Sequence, residues 1–220
     1  MFTTMKLTIF NTPIISPILR LLSNSLMRLA GWRVEGTLPN LPKYVIIGAP
    51  HTSNWDFLLF LGVIFLLKAD VRYMGKAELF KNPIMDLALR NLSAFPVTRG
   101  DKDMWAMRHA SKILKQGQWL GMFPEGTRSK GKGLTVAKTG TARMAIEAGC
   151  PILPMAIIGT DKFFKKFPRR AQVNVSILPP LMPMENESPL ALTDRLMFTL
   201  AQALPVSMRG VYASLPEGFG

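Results

Sequence analysis

The stretch YVIIGAPHTSNWDFLLFLGVIFLL, residues 44–67, joins a short apolar run to a longer apolar segment through a polar turn. The run at residues 44–47 has the length of a buried β-strand and is followed by glycine and proline. The segment at about residues 55–67 is long enough to form a helix. A strand followed at once by a helix is the repeating unit of α/β proteins.

The rest of the chain repeats this alternation of strands and helices. Further strands are predicted at residues 71–74, 94–97, 120–123, 153–158 and 173–178. Further helices are predicted at about residues 77–91, 103–116, 139–148 and 187–203. We therefore predict an α/β fold, in which a single domain has a central, largely parallel sheet flanked by helices.

An amphipathic helix is predicted at residues 14–30, before this domain. Its apolar residues recur at spacings of three and four, at Ile15, Ile18, Leu19, Leu22, Leu26 and Leu29. Such a helix either packs on the core or lies in the plane of a membrane as an anchor. We accordingly divide the chain into a membrane-associating segment at residues 1–35 and the main domain at residues 36–220.

Charge and hydropathy indicate an anionic lipid surface as a partner. Lys and Arg number 27 against 14 Asp and Glu, which gives a formal charge of +13, while 48% of the residues are hydrophobic. Nucleic-acid-binding proteins usually carry their charge on a polar surface, so we expect a membrane as partner and no nucleic acid.

The uncharged stretches at residues 7–19 and 171–184 are too short to span a bilayer, so the expected association is peripheral. The run at residues 162–170 interleaves five cations with three Phe and fits the same surface, with RNA as the alternative ligand.

Neither a metal ion nor a cofactor is expected. Cys150 is the only cysteine, and His51 and His109 are the only histidines, so an intramolecular disulfide is impossible and a Cys/His metal site is hard to assemble. Cys150 is expected to be a core thiol and His109 a surface or packing residue.

His51 and Asp56 form the first candidate catalytic pair, between the predicted strand and helix of residues 44–67. Imidazole can take a proton from a hydroxyl near neutral pH, and a neighbouring carboxylate fixes its tautomer. Five residues along a regular helix would turn Asp56 roughly 140° away from His51. The pair can therefore meet only if His51 lies on the turn before the helix. The alternative is a His and an Asp that cap the helix.

A second polar group, FPEGTR at residues 123–128, follows another predicted strand. The Arg128 guanidinium can bind a phosphate in bidentate fashion, and Glu125 can orient it or bind a substrate hydroxyl. Arg99 also follows a predicted strand and is expected to converge on the same phosphate. The alternatives are a surface turn with a salt bridge and, for Arg99, a solvated residue that pairs with Asp101.

Together and in this order, HTSNWD at residues 51–56 and FPEGTR at residues 123–128 resemble the glycerophospholipid acyltransferases, particularly the 1-acylglycerol-3-phosphate acyltransferases. Two weaker stretches at residues 95–99 and 151–156 resemble other motifs of that family, so the resemblance covers roughly residues 44–160. The chain departs from the family pattern at Pro50, Pro96 and Thr98.

The resemblance implies that His51 is the general base and that Asp56 is its partner. The acceptor-binding residues that it implies are Arg99, Glu125, Gly126, Thr127 and Arg128. The reaction implied is transfer of a fatty acyl group from acyl-CoA or acyl carrier protein to the free hydroxyl of 1-acylglycerol-3-phosphate, giving phosphatidic acid. It would take place at the cytoplasmic face of a membrane, without a covalent acyl-enzyme.

Two alternatives to this reaction stay open at the level of sequence. One is an acyltransferase for another lysophospholipid or an aminolipid. The other is a non-catalytic basic protein that binds membranes or RNA. The acyl-chain length and the oligomeric state also stay open.

Overall fold

The computed structural model describes residues 9–10, 12–53, 55–98, 104–162 and 172–214. The helices in this part of the chain are α1 (Ile15–Leu29), α2 (Trp55–Leu66), α3 (Pro83–Asn91), α4 (Met104–Lys115), α5 (Gly140–Ala148) and α6 (Pro189–Gln202). The strands are β1 (Arg33–Glu35), β2 (Val45–Ala49), β3 (Val71–Lys76), β4 (Ala94–Val97), β5 (Trp119–Met122), β6 (Ile152–Ile158) and β7 (Asn174–Ile177). Short 3-10 turns lie at Ala77–Lys81, Thr160–Lys162, Val206–Met208 and Gly210–Tyr212.

These strands form one sheet in the order β1-β7-β6-β2-β5-β3-β4. The strands from β6 to β4 are mutually parallel, whereas β7 is antiparallel to β6 and β1 is parallel to β7. The predicted α/β class and the largely parallel sheet are thus confirmed. Because β6, β2 and β5 are neighbours and run the same way, the segments that follow them meet at one edge of the sheet.

Strand β2 is packed on both faces. Val45, Ile47 and Ala49 belong to the core under α4, α5 and α6, whereas Tyr44 and Ile46 belong to the core under α1, α2 and α3. This division follows from the two-residue period of a strand. Burial of each large apolar side chain contributes roughly 1.5–3 kcal/mol, so β2 cannot slip by one residue without disturbing both cores. The carboxyl end of β2 is therefore a fixed point of the fold.

Helix α1 packs on α2 but leaves most of its apolar row outside the core. Met27 is buried, and the Ser23 hydroxyl donates a hydrogen bond to the Gly62 carbonyl oxygen at 3.0 Å. The outward-facing apolar residues of this helix are Ile15, Ile18, Leu21, Leu22, Leu26 and Leu29. Leu19 of the predicted row packs partly against the core beside Met27, so α1 contacts the core along one side while most of its apolar row faces outward. Across the described ranges, no helix combines the length and the apolar character needed to cross a bilayer.

The helix predicted at residues 77–91 is two elements, a 3-10 turn and then α3. Asn82 between them has an extended backbone, and its side chain accepts a hydrogen bond from the backbone N–H of Ile84 at 3.0 Å. Proline at residue 83 disfavours a helical conformation at Asn82, and asparagine is a preferred residue before a helix. The spacing of apolar residues continues across this break, so the sequence pattern does not reveal the break.

Strand β1 is also absent from the sequence-based expectation. It is three residues long, and it pairs in register with β7 from Arg33 opposite Asn174 to Glu35 opposite Ser176. Its residues fall within the segment 1–35 that the sequence sets apart, although they belong to the sheet. The division of the chain at residue 35 stays a prediction.

Candidate active site

The candidate site lies where β2 and β5, which are adjacent and parallel, reach their carboxyl ends. His51 follows β2 by two residues, and Glu125 follows β5 by three. Open α/β sheets bind their ligands at this edge because the loops that leave neighbouring strands converge there. The two sequence motifs therefore meet in space.

His51 lies on the non-helical turn before α2, as the sequence argument requires, and Asp56 lies in the first turn of that helix. The His51 Nδ1 atom is 2.8 Å from Asp56 Oδ2. The same carboxylate oxygen accepts hydrogen bonds from the backbone N–H groups of Thr52 and Ser53. Asp56 therefore has both of the roles that the sequence leaves as alternatives. It caps the turn before the helix, and it also binds the imidazole.

The surroundings of Asp56 favour its ionised form. Burial by itself raises the pKa of this carboxyl, but hydrogen bonds from the His51 ring and the Ser53 backbone bring the pKa below its ordinary value. An ionised carboxylate only accepts hydrogen bonds, so the neutral His51 ring must carry its proton on Nδ1. The Nε2 lone pair is then available as a base, and the His51 side chain is 16% exposed whereas Asp56 is fully buried.

Phe123 covers one face of the His51 ring. The two ring centroids are 4.1 Å apart at an interplanar angle of 14°, and Phe123 also contacts Phe60 of α2. Gly48 makes room for this arrangement, since a Cβ atom there would lie 3.1 Å from Phe123 Cε1. The sequence pattern assigns no role to Phe123. Its position at the end of a strand, beside the polar motif, is the sequence feature that points to the site.

Glu125 is buried, and both of its carboxylate oxygens accept hydrogen bonds from the protein. Oε1 accepts from the His51 backbone N–H at 2.8 Å, and Oε2 accepts from the Thr135 hydroxyl at 2.7 Å. Burial raises the pKa of Glu125, although these hydrogen bonds act in the opposite direction. The sequence predicts that Glu125 helps to form the acceptor site. The structure adds that it joins the two loops of the site.

The residues after Glu125 form a turn at the surface. Gly126 has φ +67°, and its backbone N–H donates to the Phe123 carbonyl oxygen at 3.1 Å. Thr127 and Arg128 are exposed. The backbone N–H of Ser129 donates to the His51 carbonyl oxygen at 2.7 Å, which keeps Arg128 next to the catalytic turn.

Four other sequence features have no place in the described geometry of the site. Arg99 lies outside the described residues, as do residues 163–170 of the basic run. His109 stacks on Trp105 of the same helix and does not lie at the site. Cys150 is buried, which raises the pKa of its thiol to about 11. Within the described ranges, no group of three or more His, Cys, Asp or Glu side chains is arranged to hold a metal ion.

Thr160, just after β6, contacts the turn that carries His51, and no sequence motif includes it. Its hydroxyl lies 3.0 Å from the Thr52 hydroxyl, and it is buried. A third strand end thus supports the turn that carries His51. A polar residue two positions after a buried parallel strand is the sequence feature that points to it.

Comparison with known proteins identifies the family. The family model described as Acyltransferase matches residues 32–158. The chain is 32% identical over 131 residues to a 1-acyl-sn-glycerol-3-phosphate acyltransferase of Borreliella burgdorferi. The aligned region covers 58% of this chain and 51% of that protein. It is 33% identical over 132 residues to the enzyme of the same name from Bacillus subtilis, covering 58% of this chain and 64% of that one. The chain thus spans only about half to two thirds of the length of these bacterial relatives.

A human relative and a crystal structure match over longer ranges. The chain is 30% identical over 221 residues to human 1-acyl-sn-glycerol-3-phosphate acyltransferase alpha, which covers 92% of this chain and 76% of the human protein. The crystal structure of the 1-acyl-sn-glycerophosphate acyltransferase PlsC from Thermotoga maritima superposes with a TM-score of 0.68 at 21% identity, over 86% of this chain and 78% of that one. The structural likeness supports the fold, and the sequence matches establish that this chain belongs to the acyltransferase family.

Proposed function

We propose that the protein transfers a fatty acyl group from a thioester to the free hydroxyl of 1-acylglycerol-3-phosphate, giving phosphatidic acid. The observation that carries this proposal is the 2.8 Å contact between His51 Nδ1 and Asp56 Oδ2 at the carboxyl end of β2. The names of the bacterial and human relatives support the acceptor. The donor in this proposal is acyl-CoA or acyl carrier protein, used as a co-substrate and not as a cofactor.

In the proposed reaction, His51 Nε2 takes the proton of the acceptor hydroxyl while its oxygen attacks the thioester carbonyl. The ring becomes an imidazolium, which the ionised Asp56 stabilises through Nδ1. The carbon–sulfur bond then breaks, and the imidazolium returns the proton to the leaving thiolate. The products are the ester and the free thiol, and no acyl group is carried by the protein.

Arg128 is proposed to bind the acceptor phosphate, together with Gly126 and Thr127. Arg128 is exposed, and the bond from Ser129 N–H to the His51 carbonyl ties its neighbour to the catalytic turn. A guanidinium suits this role because it presents two parallel donors to a phosphate. Arg99 is proposed as a second cation for the same phosphate on the basis of its motif alone.

A peripheral position on the cytoplasmic face of a membrane is proposed from α1. Its exposed row of Leu and Ile side chains offers apolar surface to a bilayer. The formal charge of +13 suits the anionic lipids of the cytoplasmic leaflet. The acceptor and its product are lipids, so the site and the bilayer must meet.

Replacing His51 tests the proposed base. We expect purified wild type to convert acyl-CoA and lysophosphatidic acid to phosphatidic acid, and His51→Ala to lose about 10²- to 10⁴-fold in kcat. Asp56→Asn should also lose activity, because the tautomer is no longer fixed. His109→Ala is the matched control and should retain wild-type turnover. A folded His51→Ala protein with near-native kcat would contradict the assignment.

Replacing Arg128 tests the phosphate contact. Because hydrogen bonds to charged groups contribute about 1.5–3 kcal/mol, we expect Arg128→Ala to raise KM for lysophosphatidic acid by roughly 10- to 100-fold. The same variant should differ little from wild type on monoacylglycerol, which lacks the phosphate. Lys130→Ala, in the same loop, is the control. Equal losses on both acceptors would argue against the phosphate role, and a wild type that prefers another lysolipid would replace the proposed acceptor.

Polar substitutions on α1 test the membrane contact. We expect the triple variant Leu22→Ser, Leu26→Ser, Leu29→Ser to bind vesicles of phosphatidylglycerol and phosphatidylcholine more weakly, even at high salt, because apolar insertion is not screened. Leu190→Ser is the matched control, since Leu190 is 61% exposed and Leu26 is 64% exposed, but Leu190 lies on α6 at the opposite face of the sheet. Undiminished vesicle binding by the triple variant would remove α1 from the proposed contact.

A further inference from the structure

Thr135 contacts the catalytic machinery although no sequence motif includes it. Its hydroxyl donates to Glu125 Oε2 at 2.7 Å, and its backbone N–H donates to the same oxygen at 3.3 Å. The other oxygen of Glu125 accepts from the His51 backbone N–H at 2.8 Å. Thr135, Glu125 and His51 therefore form one continuous hydrogen-bonded series.

Both backbone polar groups of His51 are bound by the same loop. Its N–H donates to Glu125, and its carbonyl oxygen accepts from Ser129 N–H at 2.7 Å. The ring is bound separately by Asp56. The side chain of His51 is thus bound by Asp56 of α2, and its main chain is bound by the loop after β5.

The C-terminal segment at residues 206–212 holds the loop that contains Thr135. Leu134 N–H donates to the Met208 carbonyl oxygen at 2.9 Å, and Val211 N–H donates to the Leu134 carbonyl oxygen at 3.2 Å. One residue beyond, the Tyr212 hydroxyl accepts from Ala137 N–H at 3.3 Å.

Glycine is required for this close approach of two backbones. Gly210 has φ +52°, and a Cβ atom there would lie 1.9 Å from the Leu134 carbonyl oxygen. Gly133 has φ +80°, and a Cβ atom there would lie 2.4 Å from the Met208 carbonyl oxygen. Residues 206–212 lie outside the range 32–158 that the family model matches, so this contact is not part of the matched domain.

We propose that Thr135 is a positioning residue for His51 that acts through Glu125, and that the segment at residues 206–212 keeps Thr135 in place. The kinetic consequence rests on the proposed function, whereas the structural consequence at His51 does not. Glu125 contacts the backbone of the base directly, whereas the proposed phosphate ligand Arg128 lies three residues further along the loop, so the loss of the Thr135 hydroxyl should lower kcat by a larger factor than it raises KM.

The kinetic test compares Thr135→Val with Thr135→Ser. Valine keeps the shape of the side chain but removes the hydroxyl donor to the buried Glu125, so we expect kcat to fall ~10-fold and KM for lysophosphatidic acid to change by a smaller factor. Serine keeps the donor and should restore most of the activity. Thr199→Val is the matched control, because its hydroxyl donates within α6, to the Arg195 carbonyl oxygen. Lower thermal stability of Thr135→Val with an unchanged kcat would overturn the proposal.

Nitrogen-15 NMR of the imidazole rings gives a readout that needs no substrate. The chain has 2 His, so a His109→Asn variant assigns both rings. We expect Thr135→Val to shift the ring signals of His51 and to leave those of His109 in place. Tyr212→Phe, which removes the acceptor for Ala137 N–H, should shift the His51 signals in the same direction by less.

The two readouts separate the possible failures. If wild type does not acylate lysophosphatidic acid but Thr135→Val shifts the His51 signals, the proposed function fails and the positioning role stands. If wild type is active and Thr135→Val changes neither kcat nor the His51 signals, the positioning role fails. If Thr135→Val has its expected effects and Tyr212→Phe leaves the His51 signals unmoved, the role assigned to the C-terminal segment is wrong.

Discussion

The carboxylate of Asp56 is the interaction on which the site depends. It is fully buried in the first turn of α2, and its Oδ2 atom accepts from the His51 ring and from two backbone N–H groups of the preceding turn. These bonds offset the cost of burying a charge, and they outweigh desolvation so that the pKa of Asp56 falls below its ordinary value. The turn must fold around the carboxylate for the charge to be stable. The same bonds therefore fix the backbone of the turn and the tautomer of the base.

A second buried carboxylate, Glu125, connects this turn to the loop after β5. Its pKa is raised by burial, which contrasts with the lowered pKa of Asp56, and its partners are a backbone N–H and the Thr135 hydroxyl. The turn that holds His51 is thus fixed by α2 on one side and by the neighbouring loop on the other. Arg128 leaves this loop toward solvent, three residues after Glu125. In the proposed reaction, the base and the phosphate-binding group therefore share one rigid support, and the distance between them is set by the pairing of β2 with β5.

Much of the architecture could be predicted from the sequence because it depends on local patterns. The α/β fold is confirmed, since apolar runs and helical periods record burial directly. The family resemblance, which rests on two motifs, is confirmed by the matches to known acyltransferases. The break at Asn82 was missed because the apolar period runs through it, and β1 was missed because three residues carry no period. The partners of Glu125 could not be predicted, since Thr135 reaches it through a side-chain hydrogen bond across an irregular loop. That loop is in turn held by backbone hydrogen bonds between Leu134 and the C-terminal segment, which are distant in sequence. Such contacts leave only indirect marks in a sequence, such as the glycines at residues 133 and 210.

In the proposed reaction, the acceptor hydroxyl attacks the thioester directly, with His51 as the base. A single-turnover experiment tests it by mixing stoichiometric enzyme with radiolabelled acyl-CoA, first without acceptor and then with lysophosphatidic acid. Direct transfer requires that free CoA be released only after the acceptor is added, with the label passing straight into phosphatidic acid. A burst of CoA without acceptor, equal to the amount of enzyme and with the label retained on the protein, would show a covalent acyl-enzyme and rule out direct transfer.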